Sequence, residues 1–327
     1  MRSSTRFKRV PALLGAVALL TASLAGCSLI PGFGGCQPVY TAGDSSTLVT
    51  AEGSFGVKPT VSFPTPLVVK TPEVSVIDAG DGRQIRDGDQ VDYTFAELTG
   101  KDATDLSGDS AESRVEAGIA DNAIAEALVC AHVGDRIALV ATVKQTHGAG
   151  AGGETLDDTD TVVLVIDVSA SYLGKADGFN QLPEDGMPTV VTAVDGTPGI
   201  TVPAQDPPTD TRIGLIKAGD GAKVKAGEQV VLHYTIWIWP ATVGDEPTPI
   251  SGGSTWDSHV AQNLPLKSIA DGGGVPQGLY DALLGQRIGS QVLVVIPPGD
   301  DSFAPTNLPP GVSSDSTVIF VVDILGI

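Results

Sequence analysis

The carboxyl-terminal part of the chain carries the hydrophobic patterns of a sheet. Apolar residues alternate with polar or smaller ones over 230–234, which predicts a half-buried strand. Two runs rich in β-branched residues, 291–296 and 317–325, predict further strands. Gly289 and the Pro-Pro-Gly sequence at 297–299 mark the ends of elements, because these residues interrupt regular structure.

One short helix is predicted among these strands. Pro276 suits the first position of a helix, because its missing N–H would have no partner there. The residues that follow at helical spacing and form one apolar face are Leu279, Ala282 and Leu283. Many strands around one short helix predict an α+β fold.

The chain also repeats itself. Residues 74–91 match 214–230 at an offset of 139, and the same offset relates Pro59 to Pro198. Farther along, 127–140 matches 282–295 at an offset of 155, and 161–168 matches 317–324 at an offset of 156. The repeat therefore predicts two tandem domains of the same fold, and the second copy carries 16 more residues between its early strand and its helix.

The repeat and the composition of the remaining segments give a domain plan. The segment after Cys27 is rich in Gly, Ser, Pro and Thr, which predicts a flexible tether. The segment between the copies is predicted to be a linker that continues as an ordered strand or arm. The predicted parts are a signal peptide (1–26), a tether (27–51), a first domain (52–171), a linker (172–190) and a second domain (191–327).

The amino terminus predicts export. Four basic residues within the first nine precede an apolar stretch that is too short to span a membrane. The stretch ends in Leu24-Ala25-Gly26-Cys27, which resembles the signal of bacterial lipoproteins. The resemblance implies that Cys27 is lipid-modified and anchors the protein at the outer face of the cytoplasmic membrane. The alternative is an ordinary signal peptide, with Cys27 free or in a disulfide.

Composition excludes several classes of function. The 327 residues carry 39 acidic and 19 basic side chains, and a net charge of -20 argues against nucleic acid as a partner. Three cysteines and four histidines are too few for a zinc framework, so no metal or cofactor is expected. Cys36 and Cys130 would remain after processing; a disulfide and a buried free thiol at Cys130 are both compatible with the sequence.

Residues 217–327 resemble the FKBP-type peptidyl-prolyl cis/trans isomerases. The motifs that carry the resemblance are His-Tyr-Thr at 233–235, Gly-Ser-Thr-Trp-Asp-Ser at 253–258, the helix entry at 275 and the terminal strand. The family fold is an antiparallel sheet wrapped around one short helix, with an apolar pocket between them. The resemblance implies isomerase activity on proline-containing exported polypeptides, without a cofactor, and weak binding of macrolide inhibitors.

The resemblance also assigns the site residue by residue. The residues it places as catalytic are Tyr234, Trp256 and Asp257. The residues it places against the prolyl ring or the pocket edge are Val275, Pro276, Leu279, Phe303 and Phe320. Three of these depart from the family pattern: Leu279 stands for a tryptophan, Pro276 removes a backbone N–H that binds ligand, and Phe303 lacks a tyrosine hydroxyl.

The implied chemistry needs no nucleophile, metal or proton shuttle. Rotation about a prolyl amide has a barrier of about 18–20 kcal/mol, and its twisted transition state is less polar than the ground state. A dry apolar pocket therefore favours the transition state. The hypothesis requires the rings of Tyr234 and Trp256 on the same side of the sheet; rings on opposite sides would leave only a tethered scaffold.

The first copy has lost most of these residues. Phe95 stands opposite Tyr234, Ile124 opposite Leu279 and Leu164 opposite Phe320 in the repeat. We therefore expect a degenerate first domain that keeps the fold without the activity. The alternatives to an isomerase are an FKBP-like chaperone or binding lipoprotein without turnover, and a purely structural β protein. His233 and His259 are expected to be plain sheet or surface residues.

Overall fold

The structure is a computed structural model that describes residues 35–108, 112–269, 274–299, 303 and 308–327. Residues 36–327 form one compact unit by their internal contacts. The predicted signal peptide, Cys27 and the first part of the predicted tether lie outside the described residues. Within the described part of the chain, no helix has both the length and the hydropathy needed to cross a bilayer.

The described residues are rich in sheet and contain few helices, which is consistent with the predicted α+β class. The strands, in chain order, are β1 (Thr50–Glu52), β2 (Thr60–Ser62), β3 (Glu73–Asp78), β4 (Gln90–Thr99), β5 (Ser113–Glu116), β6 (Arg136–Thr142), β7 (Thr161–Tyr172), β8 (Phe179–Asn180), β9 (Thr189–Thr192), β10 (Pro198–Thr201), β11 (Arg212–Ala218), β12 (Gln229–Ile238), β13 (Thr248–Ser254), β14 (Gln262–Pro265), β15 (Gln291–Ile296) and β16 (Val318–Gly326). The α-helices are α1 (Ala123–Leu128), α2 (Val143–His147) and α3 (Gln277–Leu283), and short 3-10 helices span Ser46–Leu48 and Trp256–Ser258.

Two larger antiparallel sheets carry the two copies of the repeat. The first has the order β3-β6-β7-β4-β5, and the second has the order β13-β12-β16-β15-β11-β8 with β14 also paired to β12. In the first sheet Phe95 pairs with Ile166, and in the second Tyr234 pairs with Val322. Both partners keep the offsets of the sequence repeat, so the two sheets share one strand register. The exact domain boundaries stay a prediction.

The helices begin where local sequence satisfies their free N–H groups. The Asn122 side chain accepts hydrogen bonds from Ile124 N and Ala125 N and so caps α1. Pro276 lies one position earlier than predicted, at the N-cap of α3 rather than at its first turn, and its carbonyl accepts from Tyr280 N at 2.9 Å. Helix α3 packs on the sheet through Leu279 and its neighbours.

Each sheet has one face covered by its helix and the other face covered by a two-stranded arm. β1 and β2 pair with each other, and so do β9 and β10. The first arm lies over the outer face of the first sheet, at Ala138, Val140 and Val163. The second lies over Trp237, Trp239 and Leu293. The second arm starts at Thr189 with β9.

The predicted tether is wrong for residues 36–51. A disulfide joins Cys36 to Cys130, with 5.5 Å between their Cα atoms. The Tyr40 hydroxyl donates a hydrogen bond to the Glu126 carboxylate, and Val49 is buried against the first sheet. A composition rich in Gly and Ser permits flexibility but does not require it, and here a covalent link and apolar packing order the segment.

The predicted linker is ordered, as the strand-or-arm interpretation expected. β7 extends to Tyr172, and β8 adds to the edge of the second sheet beside β11. Leu173 N donates to Leu325 O at 3.3 Å, which attaches the start of the linker to the end of β16. The linker therefore brings the two sheets into direct contact.

Candidate functional site

The alternation of β12 decides which side chains face α3. Val230, Leu232 and Ile236 belong to the apolar cluster that surrounds the helix, and Tyr234 packs against that cluster. The intervening residues point the other way, and Trp237 belongs to the cluster under the β9–β10 arm. This is the two-residue period of a strand with both faces covered.

Five of the predicted site residues meet in the cluster beside α3. Val275 and Leu279 are each 4% exposed and Phe320 is 2% exposed. Phe303 lies against them, with its ring centroid 6.0 Å from that of Phe320. Tyr234 is half-buried against the same cluster, so the structure brings these five side chains together.

Pro276 adds a buried edge to this cluster. It is buried directly before α3, and the preceding segment is held by a hydrogen bond from Val275 N to Lys267 O at 2.9 Å. The pyrrolidine ring carries no N–H, so this position offers a ligand carbonyl no backbone donor. The departure from the family pattern noted in the sequence is therefore present at the edge of the site.

The Tyr234 hydroxyl is a donor suited to the site. Burial raises the pKa of Tyr234 above its usual value, so the hydroxyl stays protonated at neutral pH. Among the described residues, no hydrogen-bond partner of this hydroxyl is found. The group is thus able to donate a hydrogen bond to a carbonyl oxygen at the rim of the cluster.

Trp256 does not lie with Tyr234, and its predicted placement is wrong. Its ring stacks on the imidazole of His233, with centroids 4.1 Å apart and planes 23° apart. His233 is the β12 residue before Tyr234, so its side chain points to the opposite face of the strand. Gly196, in the turn of the β9–β10 arm, leaves room for the ring, because a Cβ there would overlap it.

Asp257 lies in the 3-10 helix Trp256–Ser258 and is exposed. Among the described residues it makes no hydrogen bond or ion pair. Because the Trp256 ring stacks on His233, which faces away from Tyr234, the requirement that the rings of Tyr234 and Trp256 share one side of the sheet is not met.

The structure adds apolar residues that the sequence reasoning missed. Ile236, 7% exposed, lies two positions after Tyr234 on the same face of β12, and the alternation pattern contained that signal. Ile250, also 7% exposed, comes from β13. β13 belongs to the extra residues of the second copy, so no match in the first copy drew attention to it.

The corresponding region of the first sheet contains a charged pair. Phe95, Ile124 and Leu164 pack together in the first core, at the positions the repeat assigned to them. Glu97 lies two positions after Phe95, where the second copy has Ile236, and it accepts a hydrogen bond from His147 Nε2 at 2.7 Å. This contact raises the pKa of His147 above its usual value. A prolyl ring bound at this position of the first copy would therefore contact the buried, charged side chain of Glu97.

The described residues show no cluster of three or more His, Cys, Asp or Glu side chains arranged to hold a metal ion. The side chains of the site offer apolar contact with a ring, and one hydrogen bond from Tyr234.

The match to a protein family falls on this second copy. Residues 221–325 match the family model of the FKBP-type peptidyl-prolyl cis-trans isomerases. An FK506-binding protein of Streptomyces anulatus is 28% identical over 134 residues, which are 40% of this chain and 96% of that protein. A probable FK506-binding protein of Corynebacterium glutamicum is 27% identical over 129 residues, 39% of this chain and 96% of that protein. These findings support the FKBP-type family for residues 221–325.

Matches to solved structures were also found. The three FKBP domains of wheat FKBP73 match 78% of this chain and 94% of that chain, at 17% identity and a TM-score of 0.31. FkpA from Escherichia coli matches 44% of this chain and 53% of that chain, at 21% identity and a TM-score of 0.28.

Proposed function

We propose that this protein is a peptidyl-prolyl cis/trans isomerase whose site lies between α3 and the second sheet. The observation that carries the proposal is the coincidence of the family match, residues 221–325, with the apolar cluster beside α3. Apolar walls favour the twisted, less polar amide over its ground state, by differential binding. Val275, Leu279 and Phe320 would contact the prolyl ring.

This proposal replaces the requirement that the Tyr234 and Trp256 rings share one side of the sheet: Phe303 and Phe320 supply the aromatic wall instead. Trp256 and Asp257 take no part in the reaction. Tyr234 donates its hydroxyl proton to a substrate carbonyl and so fixes the orientation of the bound peptide. Loss of one such hydrogen bond corresponds to about 1 kcal/mol, or roughly a fivefold change in rate. Because no donor stands at Pro276 or Phe303, we expect slow turnover and weak binding of macrolide inhibitors.

The full-length protein tests the proposal in a protease-coupled assay on an Ala-Xaa-Pro peptide. We expect a rate above the uncatalysed one, lowered by Tyr234→Ala. The matched control is Phe95→Ala, the same repeat position in the first copy, which should leave the rate unchanged. A folded wild-type protein with no rate above buffer, or equal losses in the two variants, would contradict the proposal.

One observation favours the alternative, an FKBP-like chaperone or binding lipoprotein without useful turnover: the Trp256 ring stacks on His233 and not beside Tyr234. The two functions separate in one experiment. Suppressed aggregation of an unfolded client without isomerase turnover would establish the binding protein, and turnover that Tyr234→Ala lowers would establish the enzyme.

We also propose that the protein acts on exported polypeptides at the outer face of the cytoplasmic membrane, held there by lipid on Cys27. Each buried methylene of an acyl chain contributes about 0.8 kcal/mol, so two or three chains give firm attachment. The acidic chain would be repelled by anionic lipid, so attachment depends on the acyl chains. Cys27→Ser should release the protein from the membrane fraction; retention of the variant would contradict the anchor.

A further inference from the structure

Gln90, in the first sheet, has a fixed amide orientation against the second copy. Its Oε1 accepts a hydrogen bond from Ala261 N at 2.9 Å, and its Nε2 donates to His259 O at 3.1 Å. A backbone N–H only donates and a carbonyl only accepts, so the amide cannot be reversed. The side chain is fully buried, so water does not compete for these groups.

This orientation determines the tautomer of His233. Gln90 Nε2 lies 3.2 Å from His233 Nε2, which must therefore accept the hydrogen bond and carry no proton. The proton is then on Nδ1, which donates to Thr255 Oγ1 at 2.8 Å. Burial, with His259 and Arg114 nearby, lowers the pKa of His233 to about 4, so the ring is neutral at physiological pH.

Thr255 connects this histidine to the candidate site. Its Oγ1 accepts from Tyr234 N at 2.9 Å, and its own backbone N donates to Tyr234 O at 3.0 Å. A continuous series of hydrogen bonds therefore runs from Gln90 through His233 and Thr255 to the backbone of Tyr234. The Tyr234 side chain lies on the other face of β12, against the cluster beside α3.

Charged groups surround the contact between the sheets. Arg114 on β5 binds Asp92 on β4 through two hydrogen bonds and donates to Ala261 O at 3.1 Å. Glu116 on β5 lies 3.4 Å from His259 Nδ1. These groups hold the segment around Ala261 independently of Gln90, so removal of the Gln90 amide should change the His233 contact without separating the sheets.

We propose that Gln90 is a positioning residue for the apolar site: the first copy fixes the tautomer of His233 and, through Thr255, the backbone of Tyr234. The degenerate first copy thereby acts on the site of the second copy. The activity readout of this inference rests on the proposed function, whereas its structural readouts do not.

The experiment uses the full chain labelled with ¹⁵N-histidine and ring-¹³C tyrosine. The chain has only four histidines and five tyrosines, so assignment by single substitutions is practical. We expect His233 with a protonated Nδ1 and a titration midpoint near pH 4. Gln90→Ala should produce a mixture of tautomers and shift the Tyr234 ring signals. Gln90→Glu places an acceptor against Nε2 and should move the midpoint toward neutral pH.

Gln229→Ala is the matched control, since Gln229 occupies the same position in the second copy and is exposed. This variant should leave the His233 tautomer, the His233 titration midpoint and the Tyr234 ring signals unchanged. If the wild type isomerises, Gln90→Ala should lower kcat about threefold to tenfold with a smaller change in KM, as expected for one lost hydrogen bond. A protonated Nε2 in the wild type, or identical spectra for Gln90→Ala and Gln229→Ala, would overturn the inference. An inactive wild type would refute only the proposed function.

Discussion

Asp323 is a buried carboxyl of the second sheet that forms no ion pair within the described part of the chain. It is 2% exposed in β16, and burial raises its pKa to about 6. It accepts hydrogen bonds from Ala176 N at 2.8 Å and Gln291 Nε2 at 2.7 Å, which are neutral donors. The repeat places Asp167 at the same position in the first sheet, where Arg136 binds it through two nitrogens at 2.6 and 2.8 Å.

The free energy needed to ionise Asp323 in the folded protein, relative to the unfolded chain, follows from this pKa. A rise from 3.8 to about 6 corresponds to about 3 kcal/mol. The folded protein holds this proton more strongly than the unfolded chain does. The stability that the folded protein gains from protonated Asp323 is therefore complete below about pH 4 and is lost as the pH rises through about 6. Asp323→Asn removes the titration, and the Gln291 amide can reverse to accept from the new Nδ2, because Thr192 Oγ1 both donates and accepts.

We expect Asp323→Asn to increase the free energy of unfolding at pH 7.5 by about 2 to 3 kcal/mol more than it does at pH 4. Urea unfolding followed by tryptophan fluorescence measures this difference, because all three tryptophans lie in the second copy. Asp167→Asn is the matched control and should destabilise the first sheet at pH 7.5, since it breaks an ion pair. An Asp323→Asn effect that is the same at both pH values would refute the assignment of a raised pKa.

Two further perturbations test the packing. Replacing Cys36 and Cys130 by serine should lower the free energy of unfolding by about 2 to 4 kcal/mol, because the disulfide closes a loop with a sequence separation of 94. Urea unfolding, with the midpoint and the m value fitted together, measures this loss, and an unchanged free energy of unfolding would contradict the loop-closure argument. Gly196→Ala should displace the Trp256 ring and lower the free energy of unfolding by about 1 to 3 kcal/mol. The displacement should shift the emission maximum of the folded protein, and an unaltered maximum would mean that the Trp256 ring does not lie against Gly196.

The sequence predicted those features that depend on periodicity within an element. The alternation along 230–234 identified a strand and its apolar face, and the helix containing Leu279 appeared within one residue of its predicted start. The repeat offset also predicted which strand positions correspond in the two sheets, because residues paired in one copy are paired in the other. Periodicity carries this information because each element buries a regular side of itself.

Features that depend on how separate segments meet were not predictable in this way. Trp256 follows the end of β13, where no alternation fixes the direction of a side chain, and the arm that receives its ring lies 60 positions earlier at Gly196. The disulfide could not be chosen over a free thiol, since connectivity does not follow from cysteine positions alone. The ordered conformation of residues 36–51 depends on the same Cys36–Cys130 disulfide.

The two arms extend the repeat beyond the sheets. β1–β2 and β9–β10 stand at the same offset as the sheets they cover, so each copy of the repeat comprises arm, sheet and helix together. A fragment that isolates the second copy must therefore begin ahead of Thr189. A fragment cut inside β9 would leave Trp237 and Trp239 uncovered, and such a bare indole surface would drive self-association before any catalysis could be measured.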